Sequence, residues 1–131
     1  MRILTSARTA LAQALITACG SSATIKAYDG TVPTDLGTPA GTLLATGTFG
    51  ATIGTATAGA VDIDEAGISQ TNSGHVTGTP TFWRISTSGG TAIIDIEVGG
   101  GAGQWTNTGG VVNGTDVTFT GLSIVIPHAT A

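Results

Sequence analysis

TFWRISTSGGTAIIDIEV, residues 81–98, decides how this chain is read. It holds two extended runs joined at Ser88-Gly89-Gly90. In the first, Phe82, Arg84 and Ser86 alternate with Trp83, Ile85 and Thr87. In the second, Ile94, Ile96 and Val98 alternate with Ile93, Asp95 and Glu97. A period of two, carried by β-branched and aromatic residues, marks strands whose two faces differ. The glycine pair supplies the positive φ of a tight hairpin. The stretch reads as the central β-hairpin, with the remaining strands added around it.

The composition around this hairpin is low in charge and rich in turn formers. Charged residues make up 9% of the 131 positions, glycine numbers 21 and threonine is more frequent still. Because 40% of the residues are hydrophobic, the chain lacks the low hydrophobicity and high charge of a disordered one. Its length suits one domain with a single core. After residue 20, Thr, Val and Ile outnumber the good helix formers, which favours an all-β body with many glycine turns. A net charge of −4 with only four basic residues argues against nucleic acid as a partner, because that partner needs a cationic footprint. Few exposed charges also mean little self-repulsion, so association with copies of itself or with a scaffold is easy.

The amino-terminal segment behaves differently. SARTALAQALITACG, residues 6–20, predicts the one helix, with Thr5 or Ser6 as cap and Gly20 at the left-handed end position. Ala7, Leu11, Ala14, Leu15 and Ala18 follow helical spacing and form one apolar stripe, leaving Arg8 and Gln13 off it. A helix this short is marginal alone, so the stripe is expected to dock on the β body or on another subunit. The single cysteine, Cys19, permits neither an internal disulfide nor a cysteine zinc site, and a packed, inert thiol is its ordinary reading. The run ITAC is also similar to the lipobox of bacterial lipoproteins, although Arg8, Thr9 and Gln13 interrupt the apolar core that a signal segment needs. No run approaches the roughly 18 apolar residues of a membrane span.

Further strands are expected at 23–28, 42–49, 61–64 and 68–71, with a long last strand at 117–127. The segment 50–59 reads as a weak edge strand or an arm, and 31–41 as an irregular loop. About seven to nine short strands bounded by turn residues suggest a β-sandwich or jelly-roll-like domain over 21–131, with 1–20 as a helical arm.

With these segments in order, the chain resembles small auxiliary virion structural proteins of tailed bacteriophages. The resemblance is carried by ARTALAQALITA, ATIKAYDGTVP, GTLLATGTF, FWRISTSGGTAIIDIEVG and GTDVTFTGLSIVIP, and runs nearly end to end. It implies a non-enzymatic capsid cement or decoration protein, with a tail or connector position as the alternative. It further implies the major capsid protein or other virion proteins as partners, a trimer or dimer of the chain, and a place on the capsid surface. It carries no catalytic residue, no cofactor and no membrane.

A search for chemistry is brief. Asp62, Asp64 and Glu65 form the only acidic cluster, and Asp62 and Asp64 share one face of a strand. Their set is too small for a calcium loop, so a solvated strand face is the simpler reading. His75 and His128 have no metal-site companion at the right spacing. No G-x-S-x-G elbow, phosphate loop or Cys–His pair occurs. Most of the aromatic residues are expected inside. Trp105, in a polar glycine-rich loop, is read as an interface anchor, since tryptophan dominates contacts between subunits. The expected contact residues are Leu11, Leu15, Pro33, Leu36, Ile53, Trp105 and Val111. Two other classes stay open: a surface lipoprotein anchored at Cys19, and a carbohydrate-binding module using Trp105, Asn107 and Asn113.

Overall fold

The computed structural model describes residues 2–99, 105 and 110–126. Asn107 and His128, and the glycine-rich run beyond Gly99, lie outside the described residues. Among the described residues the chain is mainly β, with one helix and eight strands in two antiparallel sheets. The helix α1 spans Thr5–Cys19. The strands are β1 (Thr24–Tyr28), β2 (Leu43–Thr48), β3 (Gly54–Thr57), β4 (Ala60–Ile63), β5 (Ser69–Gln70), β6 (Phe82–Ser86), β7 (Ala92–Glu97) and β8 (Ser123–Val125). The larger sheet runs β5-β2-β1-β6-β7 and the smaller β3-β4-β8.

The hairpin expected from residues 81–98 is β6–β7, and Gly90 takes the positive φ, +95°, that closes it. It is not central, however. The middle strand of the larger sheet is β1, and β7 lies at an edge. Pairing explains why: Ile25 sits opposite Ile85 and Ala27 opposite Trp83, and across the next strand Ile94 and Ile96 continue the same face. This face enters the core. Each fully buried isoleucine contributes about 1.5–3 kcal/mol relative to exposure. On the reverse face Lys26 pairs with Arg84 and Tyr28 with Phe82, whose rings stack with centroids 5.3 Å apart. All of Phe82–Ser86 is buried, because both faces of β6 are covered.

The helix belongs to the core, not to a separate arm. Ala12, Ile16 and Cys19 are buried, and α1 packs against β3 and β4. This is a different stripe from the expected one. The inward side also carries Arg8 and Thr9, because the β3–β4 turn needs polar partners there. Thr9 Oγ1 accepts the N–H of Gly59 at 2.8 Å, and Arg8 Nη1 donates to the Ile126 carbonyl at 3.5 Å. Small residues at 12 and 19 let the helix approach the sheet closely. Ala7, Leu11, Ala14 and Ala18 are consequently left exposed, with Leu15 half-buried. No side chain caps the start of α1, and the cap position falls on Leu4, not on Thr5 or Ser6. Gly20 closes the other end at φ +71°, its N–H bonded to the Ile16 carbonyl.

The last strand is shorter than its alternation predicts, with only Ser123–Val125 paired to β4. Gly121, at φ +64°, interrupts the run. Upstream, the backbone of Val117 bonds to the side chain of Gln70 instead of to a strand. This belongs to a polar seam between residues 70–78 and 111–117. Asn113 Nδ2 donates to the His75 carbonyl at 2.6 Å, Asn72 Nδ2 donates to Asp116, and Gly78 and Val111 bond backbone to backbone. Buried residues of α1 and of both sheets, with Trp105, Val111, Val117 and Leu122, form one hydrophobic cluster.

Candidate functional site

The residues expected at an interface separate into two groups. Ile53 is fully buried, and Val111 and Trp105 are almost so. Trp105 is 4% exposed, its Nε1–H donates to the Ser123 carbonyl at 2.9 Å, and its backbone bridges Val98. The polar loop around it suggested an outward ring. The structure corrects this: the indole turns inward because the end of β8 offers its N–H a carbonyl partner and the core takes its apolar surface. Ile53 and Val111 likewise fill the core, so these three side chains present nothing to a partner. The proposed sugar platform of Trp105 with Asn113 fails on the same ground, since Asn113 Nδ2 is committed to the carbonyls of Ser73 and His75.

Leu11, Leu15, Pro33 and Leu36 lie at the surface or partly so. Leu36 follows Asp35 in a left-handed turn, with φ of +57° and +53°. Each such non-glycine residue costs about 1–2 kcal/mol, which the surrounding loop over 31–41 must offset. That turn rests against β7.

The stripe on α1 is the most distinctive outer surface. Leu4 is 75% and Leu11 47% exposed, in line with the exposed alanines at 7, 14 and 18. The only charged residue of the helix is Arg8, and it turns inward to Ile126 and to Thr5 Oγ1. The outward side of α1 therefore carries no charge along a helix about 22 Å long.

The titratable groups have structural duties. Glu65 Oε1 accepts the N–H of Leu122 at 2.5 Å, and Glu65 does not line the pocket that Asp62 and Asp64 share. Those two aspartates line a shallow pocket with Thr52, Gly54 and Thr55. Among the described residues no three His, Cys, Asp or Glu side chains gather as metal ligands would. Arg84 and Asp95 form a two-pronged ion pair, both contacts 2.7 Å, on the reverse face of the larger sheet. The hydrogen bonds that Arg84 donates to Asp95 raise the Arg84 pKa, outweighing burial, which acts the other way. Cys19 is 1% exposed and burial raises its pKa, so its thiol is a poor nucleophile.

Sequence reasoning missed one surface hollow. Thr46, Thr48, Ser69, Thr71, Gly74 and His75 line a pocket of about 230 Å³ on the face of the larger sheet away from the core. A signal was present in the sequence, since Thr46 and Thr48 alternate with residues of the apolar side. What could not be read was that β5 would lie beside β2. No described helix is long and apolar enough to cross a membrane. Compared with family models, with curated proteins and with solved structures, the chain shows no significant match.

Proposed function

We propose that this chain is a non-enzymatic structural protein of a tailed-bacteriophage virion, a cement or decoration protein that binds the capsid shell and stabilises it. In this reading the two sheets form a small jelly-roll-like sandwich, and the chain associates with the major capsid protein and with copies of itself. The observation that carries it is the uncharged stripe of Leu4, Ala7, Leu11, Ala14 and Ala18 on the outer side of α1. A contiguous apolar surface on a folded chain marks a contact with another protein. The sequence resemblance to phage auxiliary proteins supplies the kind of partner.

The stripe also bears on mechanism. One helix side is small beside the roughly 800 Å² per partner of a standard stable interface. A single copy therefore binds weakly, and stabilisation comes from many copies bridging neighbouring shell subunits. A ligand that binds only the assembled shell stabilises it by mass action. A tail or connector position uses the same stripe on a different partner.

The test is a binding assay of purified protein on empty phage shells, followed by imaging. Saturable, symmetric occupancy is expected, and Leu11→Glu should abolish it while leaving the thermal midpoint nearly unchanged. Protein found only on tails would move it to the alternative position. Absence of binding to any virion component would overturn the reading.

A further inference from the structure

We propose that Asn113-Gly114 is a self-modification site, held shut by the turn over residues 72–75, at which opening of the polar seam converts Asn113 irreversibly to aspartate or isoaspartate. The proposal is independent of the shell-docking reading, which uses α1.

Of the three asparagines in the chain, only Asn113 is followed by glycine. Such a pair reacts with itself and needs no catalyst. The Gly114 backbone nitrogen attacks Asn113 Cγ and forms an N–Cγ bond. The Cγ–Nδ2 bond breaks, and Nδ2 leaves as ammonia with the proton that Gly114 gives up. Water then opens the five-membered imide at one of its two carbonyls. One opening yields aspartate; the other yields isoaspartate, whose backbone runs through Cβ. Glycine favours the first step because it has no Cβ to obstruct the ring and the widest choice of backbone angles.

The fold occupies both reacting groups. The Gly114 N–H donates to the Asn72 carbonyl at 3.0 Å. Asn113 Nδ2 donates to the Ser73 carbonyl at 3.3 Å and to the His75 carbonyl at 2.6 Å. Three carbonyls of one short turn therefore hold the nucleophile and the leaving group. Thr77 Oγ1 holds the Asn113 N–H as well, at 3.1 Å. Asn113 and Gly114 are themselves the centre of a turn, closed by the Thr115 N–H on the Val112 carbonyl at 3.1 Å. Positive φ at Gly114, +82°, but not at Asn113, is the pattern of a type II turn. Cyclisation has to swing the Gly114 nitrogen round onto the Asn113 side chain, so the bond to Asn72 breaks first.

The product does not fit back. An ionised aspartate at 113 offers only acceptors to the Ser73 and His75 carbonyls, which also only accept. Asp116 already places one carboxylate on Asn72 Nδ2, at 2.9 Å, and a second beside the same turn adds repulsion. Isoaspartate also lengthens the turn by one backbone carbon. Both residues of the pair are exposed, so water reaches them. Exposed hydrogen bonds at a turn belong to the easily opened end of a fold. The pair thus makes each opening of the seam between 70–78 and 111–117 a chance of permanent separation.

The test is incubation of the full chain at mildly alkaline pH, with and without denaturant, followed by peptide mass spectrometry and chromatographic separation of the two products. The native chain is expected to convert at Asn113 roughly tenfold more slowly than the denatured one, the protection that local hydrogen bonds of this kind confer. Thr77→Val and Asn72→Ala each remove one seam bond and keep the Asn-Gly pair, and each should speed native conversion roughly threefold. Thr55→Val, on the smaller sheet, should leave it unchanged. Asn113→Asp should lower the thermal midpoint and speed hydrogen exchange over residues 72–78. Equal rates in the native and denatured chain overturn the proposal. So does a native rate that neither seam variant moves, or an Asn113→Asp chain with the parent's midpoint and exchange.

Discussion

Gln70 holds Val117 with its side chain as a strand would with its backbone. Nε2 donates to the Val117 carbonyl at 2.8 Å, and the Val117 N–H donates to Oε1 at 2.9 Å. One amide side chain thus substitutes for a rung of a ladder and joins the end of β5 to the segment that leads into β8.

Gln70→Ala removes both bonds at once and leaves a partly buried N–H and C=O without partners. Each such group costs about 1–3 kcal/mol when left unsatisfied. A clear loss of stability in denaturant unfolding is expected, with faster hydrogen exchange confined to residues near Val117. Gln70→Glu should recover only part of the loss, because a carboxylate accepts from the N–H but repels the carbonyl.

Arg84 and Asp95 make the second test. Their side chains are 9% and 8% exposed, and both hydrogen bonds are 2.7 Å long. Removing one member leaves the other charge buried and unmatched, which costs about 3–5 kcal/mol. Asp95→Asn and Arg84→Met are each expected to destabilise strongly, while the double replacement by a well-packed apolar pair should cost much less. The Arg84 pKa is raised in the fold by its bond to Asp95. A cation raised in this way contributes fully below its unfolded value and loses that contribution only as pH climbs through the folded one. No decline from this group is therefore expected between neutral and mildly alkaline pH, and thermal unfolding across that range checks it.

Local patterning made part of this fold legible. The alternation in 81–98 gives β6 and β7, and positive φ falls at Gly90 and at Gly20 where the turn and helix end require it. What failed depends on partners distant in sequence. The side of α1 that enters the core was misjudged because Arg8 and Thr9 look solvent-facing until Gly59 and Ile126 stand beside them. Trp105 looked exposed because its own loop is polar, while the carbonyl that receives its N–H belongs to Ser123. The stretch from Val117 alternates like a strand, yet Gln70 takes its backbone first. The hydroxyl pocket escaped for the same reason, since it needs β5 beside β2.

The burial of Trp105 makes a sharp prediction. Trp105→Ala should cost about 3–5 kcal/mol, the range for a large aromatic truncated in a core. Trp105→Phe keeps most of the apolar volume but leaves the Ser123 carbonyl without its donor, so a smaller loss is expected. An unfolding midpoint that does not move in Trp105→Ala would contradict the placement of this ring.

Cys19 combines reactivity with stability. It is 1% exposed at the end of α1, packed with Ala12 and Ile16 in the core, and burial raises its pKa. A disulfide reagent at neutral pH should leave the native protein unmodified and label it stoichiometrically once denatured. The pH effect follows from the direction of the shift. The folded thiol titrates above the unfolded one, near 8.5, so its contribution to stability is complete below that value. It is lost as pH rises toward the folded pKa, because the unfolded chain ionises first. Cys19→Ala should therefore show a flatter stability profile above about 8.5 than the parent chain. Rapid labelling of Cys19 in the native state would contradict this burial.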